Sequence, residues 1–178
     1  YGTSGVNRWG IAPVSGNYIG VPSGYAAGKE DFSRMSYFYA ADQNNAVNSM
    51  QQEPNTGIIM NFAELEFIKA EAALRGWISG STADYFYSGA KQAITFWLPQ
   101  WSGSIEEHLA ASDMEWDVQA SLEQQLAAIH QQKYYALFLV DMQQWFEHRR
   151  TGYPRLPKGE GLKNNGEMPA RMAYPVYV

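Results

Sequence analysis

FAELEFIKAEAALRGW, residues 62–77, decides the fold class. Placed on a helical wheel of about 100° per residue, Ala63, Phe67, Ala70 and Leu74 fall on one apolar stripe. Leu65, Ile68 and Ala72 form a second stripe on the other side, with Glu64, Glu71 and Arg75 between the two. A helix with two apolar stripes needs two neighbours. Glu71 and Arg75 are spaced i,i+4, which suits an ion pair contributing about 0.3 kcal/mol when exposed. Gly76 then supplies a helix stop.

Working outward, a turn over Ile78–Thr82 leads to a second helix. Its Ala83, Phe86, Tyr87, Ala90, Ala93, Ile94 and Trp97 share one face, and Pro99 ends it. The two helices make a hairpin whose alternation of large and small positions is that of one tetratricopeptide-type unit, although Glu71 stands where such repeats place a small residue. A third helix is expected from about Val118 through Tyr135, with Leu122, Leu126 and Ile129 on one face. Asp141 with Gln144 three residues on reads as the N-terminal cap of a short fourth helix through Arg150, closed by Gly152 and Pro154.

The two ends have no helical period. Tyr1 to Tyr39 holds eight aromatic residues among many Gly, Ser and Pro, and the last part is broken by Pro154, Pro157, Gly159, Gly161, Gly166, Pro169 and Pro175. The expected organisation is therefore a loop-rich aromatic segment over 1–60, a helical region over 61–152 and a loop-rich terminal segment over 153–178. The fold class is mainly α, built from tetratricopeptide-like helical hairpins with long irregular loops.

Composition excludes more than it identifies. With 13 Lys and Arg against 18 Asp and Glu, the 178-residue chain carries a net charge of −5 and lacks the basic surface that neutralises phosphates, so no nucleic acid partner is expected. Cysteine is absent, which removes disulfides and thiolate metal sites. His108, His130 and His148 follow no metal-ligand spacing and read as solvated surface residues; no metal and no cofactor are expected. Glu106 and Glu107 beside His108 read as a charged helix start, because acids favour the first turn. No nucleophile elbow or phosphate loop is present, and no pair of carboxylates is marked for glycoside hydrolysis, which needs two facing each other about 5–10 Å apart. A binding protein is expected rather than an enzyme.

The ordered motifs carry a resemblance. Ala63, Glu64, Phe67, Ala70, Glu71, Ala72, Arg75 and Gly76 match an "AE...F...AEA..RG" helix; Tyr85, Tyr87 and Gly89 match the helix after it. Gln132 and Lys133 match a "QK" helix, and Trp145, Arg149, Arg150, Thr151, Gly152, Tyr153 and Pro154 match a Trp, Arg pair and "TGYP" corner. Pro169, Arg171, Tyr174 and Pro175 follow as "P.R..YP", and Tyr18, Gly20, Pro22 and Gly24 as an upstream "Y.G.P.G". In this order they resemble the carboxy-terminal portion of the SusD/RagB family, the SusD-like outer-membrane nutrient-binding lipoproteins.

The resemblance implies a SusD-like fold and a fragment of a larger protein, lipid-anchored through its missing amino-terminal part and exposed on the cell surface. Its implied partners are a SusC-like TonB-dependent outer-membrane transporter and a glycan, or in some branches a peptide; the alternative readings are a peptide-binding SusD/RagB-type protein or a structural lid of the uptake complex. Sugar rings pack their C–H faces on aromatic side chains, and Trp9, Tyr18, Tyr25, Tyr37 and Tyr39 lie in loop-like sequence suited to such a platform. Glu64, Glu71, Arg75, Trp145, Arg149 and Arg150 are the structural motif residues, the Arg pair bracing the corner.

Overall fold

Asn61 starts the helical region with one side chain that makes two bonds. Its Oδ1 accepts the Glu64 amide at 2.7 Å, capping α1 (Phe62–Leu74), while its Nδ2 donates to the Ala136 carbonyl at 2.9 Å. The computed structural model describes residues 57–162 and 164–171. Among them the regular elements are five helices: α1, α2 (Thr82–Trp97), α3 (Ile105–Ala110), α4 (Leu122–Ala136) and α5 (Gln143–Thr151). All lie in one compact unit, Gly57–Arg155, and the residues from Leu156 onward fall outside it. In that last stretch Lys158 pairs with Glu167 at 2.6 Å.

The hairpin of α1 and α2 forms as its patterning requires. At the end of α1 the Trp77 amide donates to Ala72 O at 2.9 Å and the Gly76 amide to Ala73 O at 3.0 Å, a closure that needs a left-handed residue in between. Gly76 provides it at φ 72°. Ser81 then caps α2 by accepting the Asp84 amide at 3.2 Å. Where the helices cross, a Cβ on Gly89 would lie 2.8 Å from Cζ of Phe67, so only glycine lets α2 approach the buried ring this closely. Phe67 in turn meets the edge of Phe86 at 6.2 Å. Both rings are fully buried, and Ala63, Ala70, Ala90, Ile105, Leu109, Ile129 and Ala136 complete the core around them.

Of the remaining helices, α3 bears out the reading of Glu106 and Glu107 as a charged helix start, whereas α4 and α5 depart from the sequence reading. The charged stretch at Glu106 becomes α3, a short helix capped by Ser104 that buries Ile105 and Leu109 on one face. Helix α4 begins at Leu122 rather than Val118, because Ser121 and Gln124 form a reciprocal capping box. Val118 is left 72% exposed. Asp141 does not cap α5: it sits at φ 43°, the cap position belongs to Met142, and no side chain closes that end. Gln144 instead donates from Nε2 to the Tyr134 carbonyl at 2.8 Å, tying α5 to the last turn of α4. Gly152, left-handed, closes α5 as expected. On α1, Leu65 and Ile68 of the second stripe are exposed, while Glu64 and Glu71 beside them are buried.

Candidate functional site

Trp9, Tyr18, Tyr25, Tyr37 and Tyr39 lie outside the described residues. Of the six motif residues, the structure brings four together. Glu64 and Glu71 stand two helical turns apart on one face of α1, and α4 brings His130 and Lys133 to that face, with Glu147 and Arg150 arriving from α5. Arg150 donates to Glu71 through both terminal nitrogens, at 3.2 and 2.8 Å, and to Glu147 at 2.7 and 3.3 Å. Arg75 adds its Nε to Glu71 at 3.0 Å. Lys133 reaches Glu147 at 3.1 Å and lies 3.8 Å from Glu64.

His130 corrects the expectation of solvated histidines. It is 2% exposed, its Nδ1 lies 3.0 Å from Glu147 Oε1 without hydrogen-bond alignment, and its ring stacks at 6.1 Å on that of Tyr153. Tyr153 also fixes the corner after α5: its hydroxyl donates to Glu123 at 3.0 Å and its amide to the Thr151 hydroxyl at 3.1 Å. Arg149 and Trp145 stand apart from the cluster, the guanidinium 4.8 Å from the indole centroid.

The electrostatics follow from burial opposed by partners. Burial pushes the Glu147 carboxyl up, but His130, Arg150 and Lys133 together hold it well below the usual carboxylate range. Glu71 is likewise raised by burial and brought net down by Arg150, His130 and Arg75. Glu64 stays raised: burial and the Glu147 charge exceed the help of distant Lys133. Hydrogen bonds to Glu71 and Glu147 strengthen the charged form of Arg150.

Glu71, His130 and Glu147 place donor atoms within 4.8 Å of one another, a spacing that a divalent cation would accept. Arg150 and Lys133 already occupy the carboxylate oxygens, so the charge a metal would supply comes from the protein. Chemically the arrangement is a brace among α1, α4 and α5. Glu147, Lys133 and His130 were not singled out as site residues from sequence, though the signal was there: acids at helical spacing on α1 (Glu64, Glu71) and bases at helical spacing on α4 (His130, Lys133).

Among the described residues, hollows open on the surface of this unit at two places of note. One of about 160 Å³ is lined by Asn61, Phe62 and Ala63 of the α1 start with Gln92, Thr95 and Phe96 of α2. The other, a cleft of about 520 Å³, separates α2 from the segment leading into α3.

A helical hairpin packed on a third helix and stapled by buried ion pairs defines an α-helical scaffold. Residues 8–175 match the SusD-like_2 family profile, described as starch-binding associating with outer membrane. The chain belongs to this SusD-like family. A SusD homolog from Bacteroides fragilis is 29% identical, with a TM-score of 0.55, over 67% of this chain and 29% of its own. A Bacteroidetes SusD-like protein is 31% identical, with a TM-score of 0.55, over 67% of this chain and 25% of its own. An outer-membrane protein from Bacteroides vulgatus, described as involved in nutrient binding, is 28% identical, with a TM-score of 0.54, over 70% of this chain and 29% of its own. The chain thus spans less than a third of the length of these solved structures. No curated protein matches. The mainly helical SusD-like fold expected from the sequence is the fold found, and the family is one of outer-membrane-associated binding proteins.

Proposed function

We propose that this chain is part of a lipid-anchored, cell-surface glycan-binding protein that captures oligosaccharides and delivers them to a SusC-like TonB-dependent transporter, without catalysing a reaction on them. The observation that carries this reading is the family match over residues 8–175, whose description joins starch binding to the outer membrane. In this reading residues 1–60 carry the binding loops, residues 61–152 the helical scaffold and residues 153–178 a loop-rich terminal segment. Trp9, Tyr18, Tyr25, Tyr37 and Tyr39 offer the sugar-stacking surface, by the packing of C–H faces on aromatic rings. Glu64, Glu71, Arg75 and Arg150 keep the scaffold in register, with Trp145 and Arg149 stacked at its edge.

Calorimetric titration of the full-length protein with neutral oligosaccharides and with short peptides tests it. Saturable saccharide binding, weakened about 2- to 10-fold by Trp9→Ala or Tyr18→Ala, is expected, since a stacked ring contributes about 0.5–1.5 kcal/mol. Binding of peptides in place of saccharides would transfer the protein to the peptide-uptake branch. Release of shortened oligosaccharides during the titration would overturn the non-catalytic part.

A further inference from the structure

The cleft beside α2 has a wall of unusual uniformity. Asp84, Ser88, Lys91 and Gln92 recur at i, i+4, i+7 and i+8, so they share one face of the helix, and all border the cleft. Among the described residues none of these four side chains makes a hydrogen bond or a close ion pair, the bonds there using only backbone atoms of Asp84, Lys91 and Gln92, although the Lys91 charge acts on Glu106 across the cleft. Tyr87 borders the same cleft with its ring held in place, because its hydroxyl accepts the Trp116 amide at 3.1 Å and its ring meets Phe86 at 5.5 Å.

The opposite wall is fixed as well. Glu106 accepts the Ser104 hydroxyl at 2.9 Å, and its own backbone amide with that hydroxyl holds its carboxyl below the usual range. Gly103 lies directly on the indole of Trp101, where a Cβ would be 2.9 Å from Cζ2. Trp101 in turn meets His108 at 5.8 Å. The backbone of both walls and the Tyr87 ring are set by the fold, while the exposed Asp84, Lys91 and Gln92 side chains are ordered only when a ligand engages them.

The lining chemistry selects the ligand class. Two carboxylates accept, one ammonium donates, and an amide and a hydroxyl do both, an alternation that matches vicinal sugar hydroxyls, each of which donates and accepts. Tyr87 adds an aromatic ring to the lining. An extended peptide would want a free strand edge or an apolar side-chain pocket, and this helix-walled cleft offers neither among the described residues. Asp84 and Glu106 outnumber Lys91, so an anionic sugar or a phosphate is disfavoured. A volume of about 520 Å³ falls within the ~300–1,000 Å³ of ordinary small-ligand sites.

We propose that the cleft between α2 and the Gly103–Glu106 segment is a second subsite for a short stretch of neutral oligosaccharide, built from residues other than the aromatic loop residues. It rests on the glycan reading above and adds a place on the helical scaffold itself where a glycan chain is held.

The test is calorimetric titration of the full-length protein with a panel of neutral tri- and tetrasaccharides headed by maltotriose, on the wild type, on Lys91→Ala/Gln92→Ala and on Ser88→Tyr, which fills the cleft. The Lys91 and Gln92 side chains are exposed, so that double variant should keep the wild-type melting temperature. Expected are two saccharide sites in the wild type and one in either variant, with a digalacturonate probe failing to compete for the lost site. A single site in the wild type, or two sites persisting in both variants, overturns the cleft assignment and leaves the glycan reading intact. Wild-type protein that binds none of the saccharides overturns both.

Discussion

Helix α1 is held on two sides by opposite chemistries. Toward α2 the contact is dry and apolar: Phe67 is fully buried, set against Phe86 and pressed on Gly89. Toward α4 and α5 it is ionic: Glu64 and Glu71 face Lys133 and Arg150, with Glu147 linking the two bases. An apolar contact loses stability in proportion to the volume removed. An ionic one loses more when a single partner goes than the intact pair contributed, because the remaining charge is left buried and unpaired. The two faces should therefore fail differently.

The largest effect is expected on the ionic side. Glu147→Ala leaves Lys133 and His130 without their shared carboxylate and should cost about 3 kcal/mol, read as a lower midpoint in chemical denaturation. A loss below about 1 kcal/mol would mean that the cluster is solvated in solution and that the contrast between the faces is false.

On the apolar side, Gly89→Ala places a methyl where Phe67 already stands. Overpacking of this kind costs about 1–3 kcal/mol, against which the better helix propensity of alanine returns up to about 1 kcal/mol. A net loss near 1–2 kcal/mol is expected. Combining it with Phe67→Leu should recover part of that loss, since the smaller side chain vacates the site. Simple additivity in the double variant would show that the ring is not what Gly89 accommodates.

The smallest effect separates the faces by pH. Glu71 and Glu147 are held below their ordinary values, so the stability they contribute is present above about pH 4.3, the unfolded value, and is lost as pH falls through their folded values. Glu64, held above its ordinary value, has the opposite sign: its contribution is present below about pH 4.3 and lost as pH rises through the raised value. With two groups against one, thermal melts taken from pH 6 down to pH 3 should fall below about pH 4. Glu147→Ala should flatten that fall, whereas Gly89→Ala should shift the whole curve down without changing its slope.

The two faces were also unequally legible. The apolar contact was open to reading because Ala63, Phe67, Ala70 and Leu74 recur at helical spacing, and Gly76 marks where the helix stops. The ionic contact was hidden by the same logic, since polar residues between apolar stripes are ordinarily taken as solvated. Glu71 has the local partner Arg75 that its spacing announces, but its bond across to α5 depends on Arg150, which is far along the chain. His130 was misjudged for that reason, its surroundings being made by Glu147 and Tyr153 from another helix and its following corner. The start of α4 is marked in the sequence by Ser121 with Gln124 three residues on, while the apolar Val118 ahead of it suggests an earlier start that the capping box overrides. Asp141 looked like a cap by composition, but its backbone bends left-handed there, which no local pattern announces. Of the binding chemistry, the unpaired stripe from Asp84 to Gln92 had a visible period; its opposing wall at Glu106 did not, because only the fold sets the two across a cleft.

Helix α5 has nine residues, and the one side chain it buries is Glu147. A helix that short is marginal on its own in water. It persists because the connection Leu137–Met142 keeps it close to a receptor of Glu71, His130 and Lys133, against which its own Glu147 and Arg150 are set. In thermodynamic terms α5 is a tethered ligand of the α1–α4 pair, its occupancy set by effective concentration rather than by its own propensity. Lengthening that tether with flexible residues would dilute it, and the "TGYP" corner, which begins where α5 ends, would be released with it.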